Sequence, residues 1–241
     1  MPFSFVAEAV VLFTVPALFW HLLIVRGMGG AGPASLARTG LVVLLVTAAA
    51  FAVVRFGIAG RPLSDLPFVP LITVGLAVVA AWLLRDWILG RGVPQQLLIA
   101  VQLFRPIGMV FVLEDLRGTL PSSFAQPAGW GDLVAGTVAA YVLLRHPSGP
   151  VPPRLVRLVA VVGLVDFASA FFFGFTSAAT PVQLFAFDNP NRVLEWPLGF
   201  VPTLLVPYAI AAHLMSLAQL RRDEALGSAA AGQGPAEGRG S

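Results

Sequence analysis

Two opposite charges stand in otherwise apolar runs: Arg105 in V101-Q-L-F-R-P-I-G-M-V-F-V112 and Asp166 in G163-L-V-D-F167. A lone charge at the centre of a membrane helix costs at least about 2.5–3.5 kcal/mol on insertion scales. A chain therefore keeps one there only when it is paired or borders water. Counted from the cytoplasmic end of its span, each lies about 11 residues in, roughly 16 Å deep at 1.5 Å per residue. The spacing predicts that the two meet near the midplane. They would then serve either as an ion pair that fixes helix register or as a polar centre that binds a substrate anion, an ion or a proton. Gln102 shares a face with Arg105, together with Gln95 and Met109. Gly163 and Ala170 flank Asp166 and let a neighbouring helix approach. Pro106 removes a backbone hydrogen bond beside the guanidinium and bends the helix there.

Other titratable residues are candidates for a second layer. Glu8, Glu114, Asp132 and Glu195 fall towards the outer face, where they form an acidic vestibule or are simply solvated. Asp132 is read as the N-cap of its helix; it and Glu8 are also candidates for contact with a substrate or ion. His21 and His213 lie at similar height in the inner leaflet, about 8–12 Å from the interface. Two such histidines suit the axial positions of a haem iron or a shared metal. No third ligand or spacing motif accompanies them, and Ser216 one turn from His213 favours plain packing. No cofactor is expected, with haem kept as the alternative at these two positions. No catalytic residue is assigned.

These residues need a scaffold, and composition defines it. Of 241 residues, 57% are hydrophobic and 11% charged, and the mean hydropathy is +0.85. Soluble domains carry about 25% charged residues, so the chain reads as an all-α, polytopic membrane helix bundle. It has no cysteine, which excludes disulfides and thiolate chemistry, and no lysine, which excludes Schiff bases. Without a basic stripe interleaved with aromatics, no nucleic acid is expected as partner. Nucleotide-binding loops, zinc-protease helices and hydrolase elbows are absent.

Seven spans are read: Ser4–Val25, Arg38–Ile58, Pro67–Leu84, Pro94–Leu113, Gly131–Leu144, Leu155–Phe175 and Trp196–Leu220. Residues 1–226 form one bundle, followed by a disordered cytoplasmic tail over 227–241, rich in Gly and Ala. Arg26, Arg38, Arg85, Arg91, Arg145, Arg154, Arg157, Arg221 and Arg222 flank one side, and Arg55, Arg61, Arg117 and Arg192 the other. The positive-inside rule places the N-terminus outside and the C-terminus in the cytoplasm. Trp82 and Trp87 fall at the inner interface, Trp130 and Trp196 at the outer one. The stretch from Glu114 to Asp132, with prolines at 121 and 127 and glycines at 118, 129 and 131, reads as an outer loop able to dip back into the bilayer. Prolines 197, 202 and 207 predict a bent last span.

Four segments carry a resemblance: F104-R-P-I-G108, L120-P-S-S-F-A-Q-P-A-G-W-G-D132, G163-L-V-D-F167 and the run from Pro202 to Leu217, which reads PTLLVPYAIAAHLMSL. Together they resemble a group of uncharacterised bacterial integral membrane proteins over the second half of the chain. The resemblance implies a class, a multi-pass protein of the bacterial cytoplasmic (inner) membrane, and no chemistry. The seven-span, N-outside shape is also similar to the SWEET sugar transporters. Those carry Pro-Gln on the first helix of each repeat; here only Pro94-Gln95 is present, which argues against membership.

Three functions remain. The residues favour a small-solute or ion/proton-coupled transporter centred on Arg105 and Asp166. A membrane haem or metal redox protein using His21 and His213, and an accessory or assembly subunit with a structural ion pair, are the alternatives. Expected partners are the lipid bilayer and a small-molecule or ion substrate, with a homo-oligomer or a membrane complex left open.

Overall fold

A computed structural model describes residues 2–58, 68–89 and 93–232. It is 77% helix, with no strand among the described residues. The helices are α1 (Phe5–Met28), α2 (Pro33–Arg55), α3 (Val69–Leu89), α4 (Gln95–Leu116), α5 (Ser122–Arg145), α6 (Pro153–Thr176) and α7, which opens at Val201–Leu205 and continues as Val206–Gly232. Six of them are long and apolar enough to cross a membrane; α3 adds a shorter apolar stretch, Val69–Leu83. Phe13, Trp20, Leu45, Leu144 and Val161 are exposed on the outside, whereas Gln102, Arg105, Glu114, Thr203 and His213 are buried inside. Soluble proteins bury the opposite set. This is the build of a multi-pass membrane protein, in which each backbone polar group must be satisfied within its own helix.

Local signals set the helix ends. Ser4 caps α1, its hydroxyl accepting from the Ala7 amide at 3.2 Å, and Pro33 and Pro153 occupy first turns where no amide is needed. Between α4 and α5 the chain reverses within residues 117–121. Gly118 adopts φ 71° there, a left-handed conformation that glycine adopts without steric penalty.

That tight turn corrects two sequence expectations. The stretch from Glu114 to Asp132 is not a long outer loop, because α5 begins at Ser122 rather than Gly131. Pro121 precedes the first turn, and Pro127 lies within the helix. Glycines 129 and 131 are helical and serve close approach rather than turning: a Cβ on Gly129 would strike Val112, and one on Gly136 would strike Pro106. Helices α4 and α5 are therefore pressed together along the α4 segment that carries Arg105. Asp132 consequently sits within α5 and caps nothing. Towards the C-terminus, α7 stays helical from Gly227 to Gly232, where the tail was expected to be disordered; its remainder, 233–241, lies outside the described residues, as do Arg61, Pro67 and Arg91.

Two spans are irregular where they cross the interior. Within α4, Val101–Gly108 is a 3-10 helix with Pro106 inside it. The start of α7, Val201–Leu205, is a π-helical turn. It precedes Pro207, which lacks the amide that the Thr203 carbonyl would meet in a regular helix. Both departures coincide with the candidate site.

Candidate functional site

Arg105 is completely buried and its guanidinium is held from three sides. Nε donates to Asp132 Oδ1 at 2.8 Å, Nη1 to the Gly163 carbonyl at 3.2 Å, and Nη2 to Asp166 Oδ2. The ring of Phe167 lies 3.8 Å from the guanidinium carbon, a cation–π contact. Arg105, Asp132 and Asp166 lie near the middle of α4, α5 and α6. Arg105 and Asp166 are thus brought together as equal depth requires. Asp132 joins them as a second carboxylate, which its assignment to a helix end had hidden.

The triad is compact because glycines leave room for it. A Cβ on Gly131 would collide with Asp166 Oδ1, and one on Gly163 with His213 Nε2 and with Arg105 Nη1 at 2.9 Å. In charge terms, one guanidinium faces two carboxylates. Each carboxylate commits one oxygen to Arg105; Asp132 Oδ2 and Asp166 Oδ1 accept no hydrogen bond from the described residues.

Those acids border a cavity of about 80 Å³, walled by Phe111, Phe124, Phe167, Phe171 and Phe175, by Val201 and Pro202 of the π turn and by Val206 just after it. Phe171 and Phe175 stack, their centroids 6.1 Å apart. Arg105 is not part of the lining. Asn191 is, and it ties the segment after α6 in place: its amide nitrogen donates to the Gly174 carbonyl at 3.2 Å, its backbone amide to the Ser177 carbonyl at 2.8 Å, and its side-chain oxygen accepts from Val193 at 3.0 Å. Neither the aromatic wall nor Asn191 was singled out from sequence. The signal was present in the spacing of Phe167, Phe171 and Phe175, one helical turn apart along the face next to Asp166.

The remaining candidates lie elsewhere. Gln102 is buried against α7, donating to the Ala209 carbonyl at 3.4 Å, and its Oε1 is unpartnered. Glu8 accepts from Trp196 Nε1 at 3.4 Å near the start of α1. Glu114 is not solvated but fully buried; it accepts from the Ser4 amide at 3.0 Å, from the Ser4 hydroxyl, and from the Thr119 hydroxyl at 2.6 Å. Glu195 is exposed and bonded to Arg192, and this hydrogen bond holds the Arg192 guanidinium above its ordinary pKa.

The two histidines do not face a shared centre. His21 pairs with the Leu97 carbonyl through Nε2 at 2.7 Å and with the Tyr208 hydroxyl through Nδ1 at 2.8 Å. A carbonyl only accepts, so Nε2 carries the proton and Nδ1 accepts from Tyr208. Neither nitrogen offers a free lone pair to an iron. His213 Nε2 is buried and unpartnered beside Gly163 and Arg105. No group of three or more His, Asp or Glu side chains suited to a metal occurs among the described residues.

No curated protein and no solved structure matches this sequence. A family model for a domain of unknown function, DUF8737, matches residues 66–221, a stretch that holds the whole triad and every residue lining the cavity, and the chain belongs to that family.

Proposed function

We propose that the protein is a small-solute transporter, ion- or proton-coupled, of the bacterial inner membrane. In this reading it has seven spans with the N-terminus outside, α3 completing the set, and Arg105, Asp132 and Asp166 are its polar centre. One observation carries the reading: a cavity is bordered by two carboxylates at mid-span. An ion pair that served only to hold helices together would need one acid and no cavity. Here a single guanidinium balances one carboxylate, and the other is left to hold a proton or a cation. The irregular backbone supports the same reading. Helices broken at membrane depth are tolerated where they line a cavity, and transporters place binding sites there.

The test is flux. Proteoliposomes carrying an internal pH dye would be pulsed with anionic, cationic and neutral small solutes. The expected result is solute-dependent proton movement that is lost in Asp132→Asn and Asp166→Asn, both of which remain monodisperse in detergent. If the triple variant Arg105→Met, Asp132→Asn, Asp166→Leu folds and still supports wild-type flux, the triad is structural and the transport centre lies elsewhere.

A further inference from the structure

The cavity's chemistry restricts what it can hold. We infer that it binds a small organic cation, an ammonium group carrying only a few carbon atoms. This rests on the triad being the binding centre and adds the class of cargo.

Four features agree. First, the sign of the exposed charge is unambiguous. Arg105 has no exposed surface and does not line the cavity, whereas Asp132 and Asp166 do. An anion entering would meet carboxylates and phenyl rings, with the guanidinium screened behind them. Second, two carboxylates against one guanidinium leave the ionised centre one negative charge in excess, which a monovalent cation neutralises. Third, the walls suit an alkylated cation better than a bare metal ion. Calcium needs six to eight oxygen ligands and magnesium six, and the cavity offers two carboxylates and the Asn191 amide. An ammonium needs few acceptors, and aromatic faces attract its charge while covering its carbon atoms. Phe111, Phe124, Phe171 and Phe175 line the cavity, together with Phe167, whose ring already carries the Arg105 guanidinium. Fourth, the volume is small: about 80 Å³, against about 150 Å³ for a cavity that holds benzene, which favours a body of a few heavy atoms.

Tetramethylammonium, tert-butanol and acetate are probes of similar size that differ in charge. Thermal unfolding of the purified full-length protein in detergent would be followed against each, with ionic strength held constant by sodium chloride. A ligand that binds only the folded state raises the midpoint in a saturable way. Tetramethylammonium is expected to do so, and tert-butanol and acetate are not. Asp132→Asn and Asp166→Asn should each weaken the apparent affinity at least tenfold. Ala170→Leu, which fills the cavity and leaves every charge in place, should abolish the shift while the protein still unfolds cooperatively. A saturable shift with acetate, or an equal one with tert-butanol, overturns the cation assignment and leaves the triad as a binding centre. A tetramethylammonium shift that persists in Ala170→Leu places binding elsewhere and overturns the inference. If none of the three shifts the midpoint, the cation assignment falls, and the flux assay then decides whether the transport reading falls with it.

Discussion

Arg105→Met would leave Asp132 and Asp166 confronting each other in a dry interior, whereas Asp132→Asn or Asp166→Asn would leave one intact ion pair. Stranding buried charge costs about 3–5 kcal/mol. Arg105→Met should therefore lower the thermal midpoint sharply, and either single asparagine should stay within about 1–2 kcal/mol of wild type, close to the cost of one altered hydrogen bond. Equal losses in all three variants, measured by unfolding in detergent, would contradict this charge count. Gly131 tests the geometry rather than the charge. A methyl group there collides with Asp166 Oδ1, so Gly131→Ala should cost about 1–3 kcal/mol, the range for overpacking. Gly75→Ala in α3, where a Cβ meets nothing within 4 Å, should be neutral or stabilise by up to about 1 kcal/mol. Glu114→Ala removes the acceptor for the Ser4 amide, the Ser4 hydroxyl and the Thr119 hydroxyl. Unsatisfied buried donors cost about 1–3 kcal/mol, and loss of order should appear first at the N-terminus, as faster amide exchange over residues 4–8.

At the scale of elements, the sequence reveals the spans more clearly than their faces. Apolar runs and flanking arginines locate α1, α2, α4 and α6 to within a few residues, because a bilayer demands length and hydropathy above all. The depth argument that joined Arg105 to Asp166 works for the same reason: it uses only distance along an axis. Azimuth is harder. The eight residues of Val101–Gly108 turn about 120° each instead of about 100°, so a helical wheel drawn through α4 drifts out of phase beside the triad. Gln95 ends against Ser216 and Gln102 against Ala209, while Arg105 points at α5 and α6. Asp132 was hidden by a different ambiguity. Glycine and proline mark turns in water, but in membranes glycine also marks close helix contact. In α5, Pro121 stands ahead of the helix while Gly129 and Gly131 form its contact face, and nothing local in the sequence separates the two uses.

At the scale of the whole molecule, the two ends of the bundle carry different chemistry. One gathers Arg26, Arg145, Arg154, Arg157, Arg221 and Arg222; Arg157 pairs there with Glu224 at 2.5 Å. The other gathers Ser4, Glu114 and the loop after α6. With no cysteine in the chain, single substitutions report orientation cleanly. Under the proposed orientation, Ser122→Cys should react with an impermeant maleimide on intact cells, and Ser148→Cys only after permeabilisation; the reverse pattern would overturn that orientation. The bonds of α1 also have a temporal meaning. Arg105 and Asp132 are separated by 27 positions and can meet soon after synthesis, whereas Ser4 lies 110 positions from Glu114, His21 lies 187 from Tyr208, and Glu8 lies 188 from Trp196. Helix α1 thus waits in lipid, its acid and its imidazole without their final partners, until Trp196 and Tyr208 have been delivered. The charged centre can assemble early, whereas α1 is tied to α7 only late.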